Sequence, residues 1–130
     1  MSSASSRLLA AALLLLVSIA ACKSAHQSAR DDAKQRVGGD QERGAFLLQR
    51  YGCGGCHRIP GVVGAAGRSA PSLEYLAQEA YIDGKLPNTP ENLMRWIRSP
   101  RSVRPQTHMP ELGVSENDAR DMATYLWSLR

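Results

Sequence analysis

An all-α domain is the fold class that the sequence predicts, and three observations predict it. Helix-starting signals stand before apolar runs at helical spacing in three places, at Asp40, at Thr89-Pro90 and at Ser115 with Asp118. No stretch makes a convincing strand, with apolar and polar residues alternating over several positions. The third observation is Cys53-Gly54-Gly55-Cys56-His57. Two thiols three residues apart can each form a thioether to one vinyl group of a haem, and the histidine directly after them is placed to give an imidazole nitrogen to the iron. Helices wrapped around one covalently attached haem explain how so short a chain is stable.

Other uses of the two thiols need different company. A redox dithiol needs only Cys53 and Cys56, and a zinc site needs two further ligands in range. The third cysteine is far upstream at position 22, the remaining histidines are His26 and His108, and no second Cys-x-x-Cys pair exists. Composition points the same way. The chain has 130 residues with formal net charge +4, but only one Phe and two Trp, so a conventional aromatic core would be thin. A buried porphyrin supplies a large apolar surface for side chains to pack against, and without it the apoprotein is expected to be mostly unfolded.

Taken in order, residues 1–21 read as an export signal: Arg7 is the only charge, and residues 8–21 are apolar or small throughout. That run falls short of the ~20 residues needed to cross the hydrocarbon core. Ile19-Ala20-Ala21-Cys22 resembles a bacterial lipobox, in which the signal is cut before a cysteine that receives a diacylglyceryl group. This would anchor the chain to the lipid membrane through Cys22, with several acyl chains giving firm attachment. A free Cys22 or an uncleaved anchor helix are the competing readings. If the lipobox holds, Lys23 resembles the residue that follows in lipoproteins sent to the outer membrane. Residues 22–38 are polar, with Val37 the only large apolar side chain, and read as a flexible tether without a packed core, His26 being solvated within it.

The haem domain is expected over residues 39–130. Asp40 caps a first helix running to about Tyr51 and delivering the chain to Cys53. Gly44 inside it costs ~1 kcal/mol relative to alanine, which implies that another backbone passes close by. The expected neighbour is the last helix, with Ser115 and Asp118 as capping box and Ala119, Met122, Ala123, Leu126 and Leu129 on one stripe, flanked by Tyr125 and Trp127. Residues 58–70 hold three glycines and Pro60 and read as a loop wrapped on the ring edge or as a mobile surface turn. A helix over about residues 73–82, stopped by Gly84, and a turn at Leu86-Pro87-Asn88 are expected next. Thr89 and Pro90 open a further helix that Pro100 ends.

For the other side of the iron, Met109 is favoured. It lies in the proline- and glycine-marked loop 104–113, where a thioether can face inward, whereas Met94 and Met122 fall within helices and read as core. His108 is the rival ligand, and an open or water-bound site is the third reading.

These residues together resemble a class I c-type cytochrome, a monohaem bacterial protein or a cytochrome c domain of the kind fused to respiratory oxidase subunits. The resemblance covers about residues 39–130. It rests on Gly39-Asp40 with Arg43-Gly44, on the run 51–61 around the cysteines, on Pro71-Ser72-Leu73, on residues 86–93 with Arg95-Trp96-Ile97, and on Met109-Pro110 with Leu112-Gly113. It implies a cytochrome c fold with one haem c held by Cys53 and Cys56, His57 as proximal ligand and Met109 as distal ligand. It also implies that the Pro71 carbonyl accepts a hydrogen bond from the ligating imidazole. Leu73 joins the cofactor-binding set by the same resemblance, Trp96 an aromatic near the propionates, and Arg68 a cation that meets the same carboxylates.

A His/Met-ligated iron has no vacant site, so the function expected is single-electron transfer in a respiratory chain on the periplasmic side of the cell envelope, not enzymatic catalysis. The alternative is a haem enzyme or gas-sensing module with an open or exchangeable sixth ligand. Redox protein partners are expected, such as a terminal oxidase, a reductase or a quinol-oxidising complex, with Arg50 and Arg58 beside the haem edge steering an acidic partner. Arg95, Arg98, Arg101 and Arg104 form a basic run read as solvated, bound to propionates or a docking surface. From Cys22 onward the balance falls to +3, before two propionates lower it further, too slight to imply nucleic-acid binding. No small-molecule substrate is expected.

Overall fold

The computed structural model describes residues 3–130; the first two residues of the expected export signal lie outside them. The elements are α1 (Ser3–Val37), α2 (Gln41–Arg50), β1 (Tyr81–Ile82), β2 (Leu86–Pro87), α3 (Pro90–Arg98), α4 (Pro100–Val103) and α5 (Glu116–Trp127), with single 3₁₀ turns at Cys53–Gly55 and Leu76–Gln78. Helix dominates, in keeping with the all-α expectation. Among the described residues no helix is long and apolar enough to cross a membrane.

The helix starts fall where the capping chemistry puts them. Asp40 is extended and its carboxylate accepts the Arg43 N–H at 2.9 Å. Thr89 accepts the Asn92 N–H at 3.2 Å with Pro90 in the first helical position. Ser115 accepts the Asp118 N–H at 3.1 Å. Each side-chain oxygen satisfies a donor that the helix itself leaves unpaired.

The core is built on α5, which packs against α2, α3 and α1. Ala119, Met122, Ala123, Leu126 and Trp127 are buried along it, facing Leu47 and Leu48 of α2 and Leu93 and Ile97 of α3. Gly44 permits the α2–α5 approach: a Cβ there would strike the Asp121 backbone carbonyl. Polar groups then lock the crossing. Arg43 pairs with both Asp118 and Asp121, and the Tyr51 hydroxyl donates to Asp118 Oδ2 at 2.8 Å.

Two expectations are corrected. Residues 73–82 are not a helix. After a single turn at Leu76–Gln78 the chain enters a short antiparallel hairpin, Tyr81 opposite Pro87 and Ile82 opposite Leu86. Leu86-Pro87 is accordingly its second strand, and no separate turn. The reversal runs through Asp83 (φ 52°) and Gly84 (φ 69°), left-handed backbone that an Asp-Gly pair accommodates. Asn88 fixes the arrangement, its side-chain amide donating to the carbonyls of Leu76 (2.6 Å) and Glu79 (2.9 Å).

The second correction concerns the expected tether of residues 22–38: residues 22–37 form the end of α1 instead of an unstructured segment. Ala29, Ala33 and Val37 recur every four residues, and Ala33 and Val37 are 0% and 8% exposed. Outside that narrow stripe, Gln27 bonds Asp31 (3.0 Å) and Arg36 bonds Asp32 (2.7 Å), pairs four residues apart that favour helix.

Candidate haem-attachment site

The C-terminus of α2 delivers the attachment residues. Tyr51 N–H closes the helix onto Leu47 O, and Gly52 turns the chain left-handed at φ 74°. Cys53–Gly55 then makes one tight turn, with the N–H groups of Cys56 and His57 both donating to Cys53 O, at 3.3 and 3.0 Å. A single turn therefore presents both thiols and the imidazole. Cys53 is half-buried and Cys56 exposed, and all three cysteines of the chain are free. Burial pushes the Cys53 thiol up, the backbone contact of its own N–H opposing this. Among the described residues no group of three or more His, Cys, Asp or Glu side chains is placed to hold a metal ion.

The glycine-rich segment 58–70 lies against this turn as an ordered strap. Gly67 N–H donates to Gly54 O at 3.0 Å, Ala70 N–H to Cys56 O at 3.1 Å, and Leu73 N–H to Arg58 O at 2.9 Å. Gly67 is required here, because a Cβ would strike the Cys56 backbone. Within the strap, Ile59, Val62 and Ala65 are buried. From the far side the Tyr125 hydroxyl donates to Pro60 O at 2.6 Å, tying the strap to α5.

The strap brings Pro71 to the histidine: its carbonyl oxygen lies 2.7 Å from His57 Nδ1. With Nδ1–H donating to that carbonyl, Nε2 is left with its lone pair available to a metal. This is the contact that the sequence resemblance implied.

Several large apolar side chains of the domain are only half covered. Leu73, Leu76, Leu86, Met94 and Trp96 pack on the core yet stay partly exposed. Met109 is half-buried as well, its N–H bonded to Thr107 Oγ1 at 3.2 Å, while its neighbour His108 is exposed. Two adjacent thiols, an imidazole with a fixed tautomer and a set of incompletely buried large apolar side chains fit a covalently held haem in donor chemistry and in surface. Arg68 is exposed and Trp96 half-buried. Arg58 pairs with Glu74 at 3.2 Å and Arg104 with Asp83 at 2.6 Å. Arg50 stacks over the Phe46 ring at 6.0 Å.

Sequence reasoning did not single out Gly67, Asn88 or the Tyr125 hydroxyl. Tyr125 was legible as a helix-face neighbour, but its acceptor lies 65 residues away. No local pattern marks Asn88, whose partners precede it by 12 and 9 residues.

The cytochrome c family profile matches residues 41–130. The chain is also 35% identical over 89 residues to a cytochrome c oxidase subunit 2 of Alkalihalophilus pseudofirmus, an alignment covering 68% of this chain and 25% of that protein. It thus spans about a quarter of the length of that relative. The Cys53/Cys56 turn matches the attachment motif for a c-type haem, and the domain around it is of the same fold; the chain belongs to the cytochrome c family, a class that generally acts in electron transfer.

Proposed function

We propose that this protein carries single electrons between redox proteins of a respiratory chain, with one haem held by Cys53 and Cys56 and its iron ligated by His57 and Met109. The observation that supports this reading is the 2.7 Å contact of His57 Nδ1 with Pro71 O, which engages Nδ1 and leaves Nε2 of the residue after the second cysteine free to ligate an iron. A haem so held supplies a one-electron Fe(III)/Fe(II) couple. Every further contribution comes from the chain. His57 is held in one ring orientation by Pro71, and Met109, a soft thioether donor, favours the ferrous state. Leu73, Leu86, Met94 and Trp96 exclude water, which raises the cost of the ferric charge; both effects push the potential upward. Arg68 and Trp96 are assigned to the propionates.

Residues 1–21 act as the export signal in this reading, and Cys22 as the lipidated anchor on the periplasmic side of the envelope, carrying the haem domain of residues 39–130. The relative's name suggests an oxidase-type partner. Arg50 and Arg58 offer it positive charge, with Arg58 partly neutralised by Glu74.

The ligand assignment is tested by optical spectroscopy. Replacing Met109 with alanine is expected to abolish the weak far-red charge-transfer band of the oxidised protein and to lower the potential; His108→Ala is expected to leave the band in place. The reverse pattern would overturn the assignment. Rapid carbon monoxide binding by the unmodified reduced protein at neutral pH would favour an open-site haem protein instead.

A further inference from the structure

The end of α1 is fastened to the haem domain by contacts that run in register along α5. Asp32 pairs with Arg130, just beyond the C-terminus of α5. Further along the chain, Gly39 N–H donates to Thr124 Oγ1 at 3.0 Å and Asp40 N–H to Asp121 Oδ1 at 2.8 Å, in the middle of α5. As residue number rises from 32 to 40 on one side it falls from 130 to 121 on the other, so the two segments run antiparallel. Ala33 and Val37 are buried between these points, and the Gln41 side-chain amide donates back to Arg30 O at 3.0 Å. A hollow lined by His26, Ala29, Ser128 and Arg130 marks where α1 passes the end of α5. From there α1 continues without a break toward the exposed Cys22.

We infer that residues 22–37 are a rigid strut that holds the domain with the C-terminal end of α5 facing a lipid surface and the N-terminal end of α5 facing away from it. The rigidity and direction come from the contacts above; the lipid surface rests on the proposed anchoring at Cys22. Ten residues of helix separate Cys22 from Asp32, which at 1.5 Å each sets a stand-off of about 15 Å. At the other end lie Ser115 and the Tyr51–Asp118 bond, and the chain from Met109 enters α5 there through Gly113 and Val114. A redox partner reaching that end approaches from the aqueous side. A flexible tether would let the domain tumble and present every face in turn; a docked helix removes that freedom.

The test uses the full holoprotein in detergent, with nitroxides on a ketone-bearing unnatural residue in place of Ser24 and of Asn117, so that no cysteine reacts. Pulsed dipolar spectroscopy is expected to give one narrow distance distribution near about 30 Å, the length of the helix separating the two positions along the shared axis. The double substitution Ala33→Asp with Val37→Asp, outside the haem site, is expected to broaden it several-fold and leave the visible spectrum unchanged. Should that variant fold poorly, Arg130→Ala removes only the ion pair and is expected to broaden it less. A broad distribution in the parent overturns the strut, and so does a distance under half the expected one. An undisturbed width in both variants overturns the assignment to these contacts. Partition of the same protein into a detergent phase, lost with Cys22→Ser, tests the anchor separately. Partition into water removes the lipid surface while a narrow distribution still upholds the strut.

Discussion

The two sides of this domain are finished to different degrees. Where α2, α3 and α5 meet, the protein closes on itself: Leu48 and Met122 are each 1% exposed, and even Thr124 is fully buried with both hydrogen-bonding roles of its hydroxyl used. Elsewhere on that core, side chains of the same kind, Leu73, Leu86, Met94 and Trp96, stay half covered. The difference teaches that the chain supplies one complete core and one wall of a second, whose other wall is the cofactor. Short domains bury too small a fraction of their surface to tolerate such incompleteness unaided.

Removing the second core altogether should have the largest effect. In a Cys53→Ser/Cys56→Ser variant, which cannot hold the haem covalently, we expect loss of the cooperative thermal transition and most of the ellipticity at 222 nm. A native-like melt would mean that the closed side is self-sufficient. The closed side is attacked directly by Gly44→Val, whose side chain collides with the Asp121 carbonyl. A cost of about 3 kcal/mol in chemical denaturation is expected, at the upper end for overpacking, with the haem spectrum retained.

Thr124→Val leaves shape intact but strands the buried Gly39 N–H. The expected loss is about 1–2 kcal/mol, measured the same way.

The smallest effect is electrostatic. The Tyr51 hydroxyl, then Arg43 and Ser115, hold the Asp118 carboxyl below its ordinary value of 3.8, against an opposing push from burial. A carboxylate depressed in the folded state stabilises it above the unfolded value and ceases to do so as pH falls through the folded one. Asp118→Asn should therefore lower the melting temperature by a few degrees at pH 7, about 1 kcal/mol. That gap should shrink steadily below about pH 4. A constant gap would show that the site acts through shape alone.

What could be seen in the sequence divides along range. The three capped helices, the glycine crossing and the attachment turn are specified by residues within a few positions of one another, so Asp40, Gly44, Thr89, Ser115 and the run 53–57 announced them. The stripe on α5 was legible for the same reason, although Thr124 within it reads as a polar residue until Gly39 is found bonded to it. Residues 73–82 were misjudged because the competing interactions are remote: Asn88 draws off the Leu76 and Glu79 carbonyls, and Ile82 finds its partner across the Asp83-Gly84 reversal. The end of α1 was misjudged because its apolar stripe is only one residue wide, and two alanines and a valine weigh little against so many charges. At the haem site the cysteines and histidine were plain in the sequence. The strap that holds Pro71 against His57 is stitched by backbone groups, and those have no sequence signature.

That stitching bears on how quickly an electron can move. Three main-chain bonds fix residues 54–73 around the imidazole, so in the proposed electron carrier its acceptor at Pro71 would stay put whichever charge the iron carried. Little nuclear rearrangement would then accompany each proposed transfer, because the dipoles that respond to the charge are already set in place. Side chains along the outside of the strap, such as Val63 and Ser69, are free to vary without disturbing that quiet surrounding.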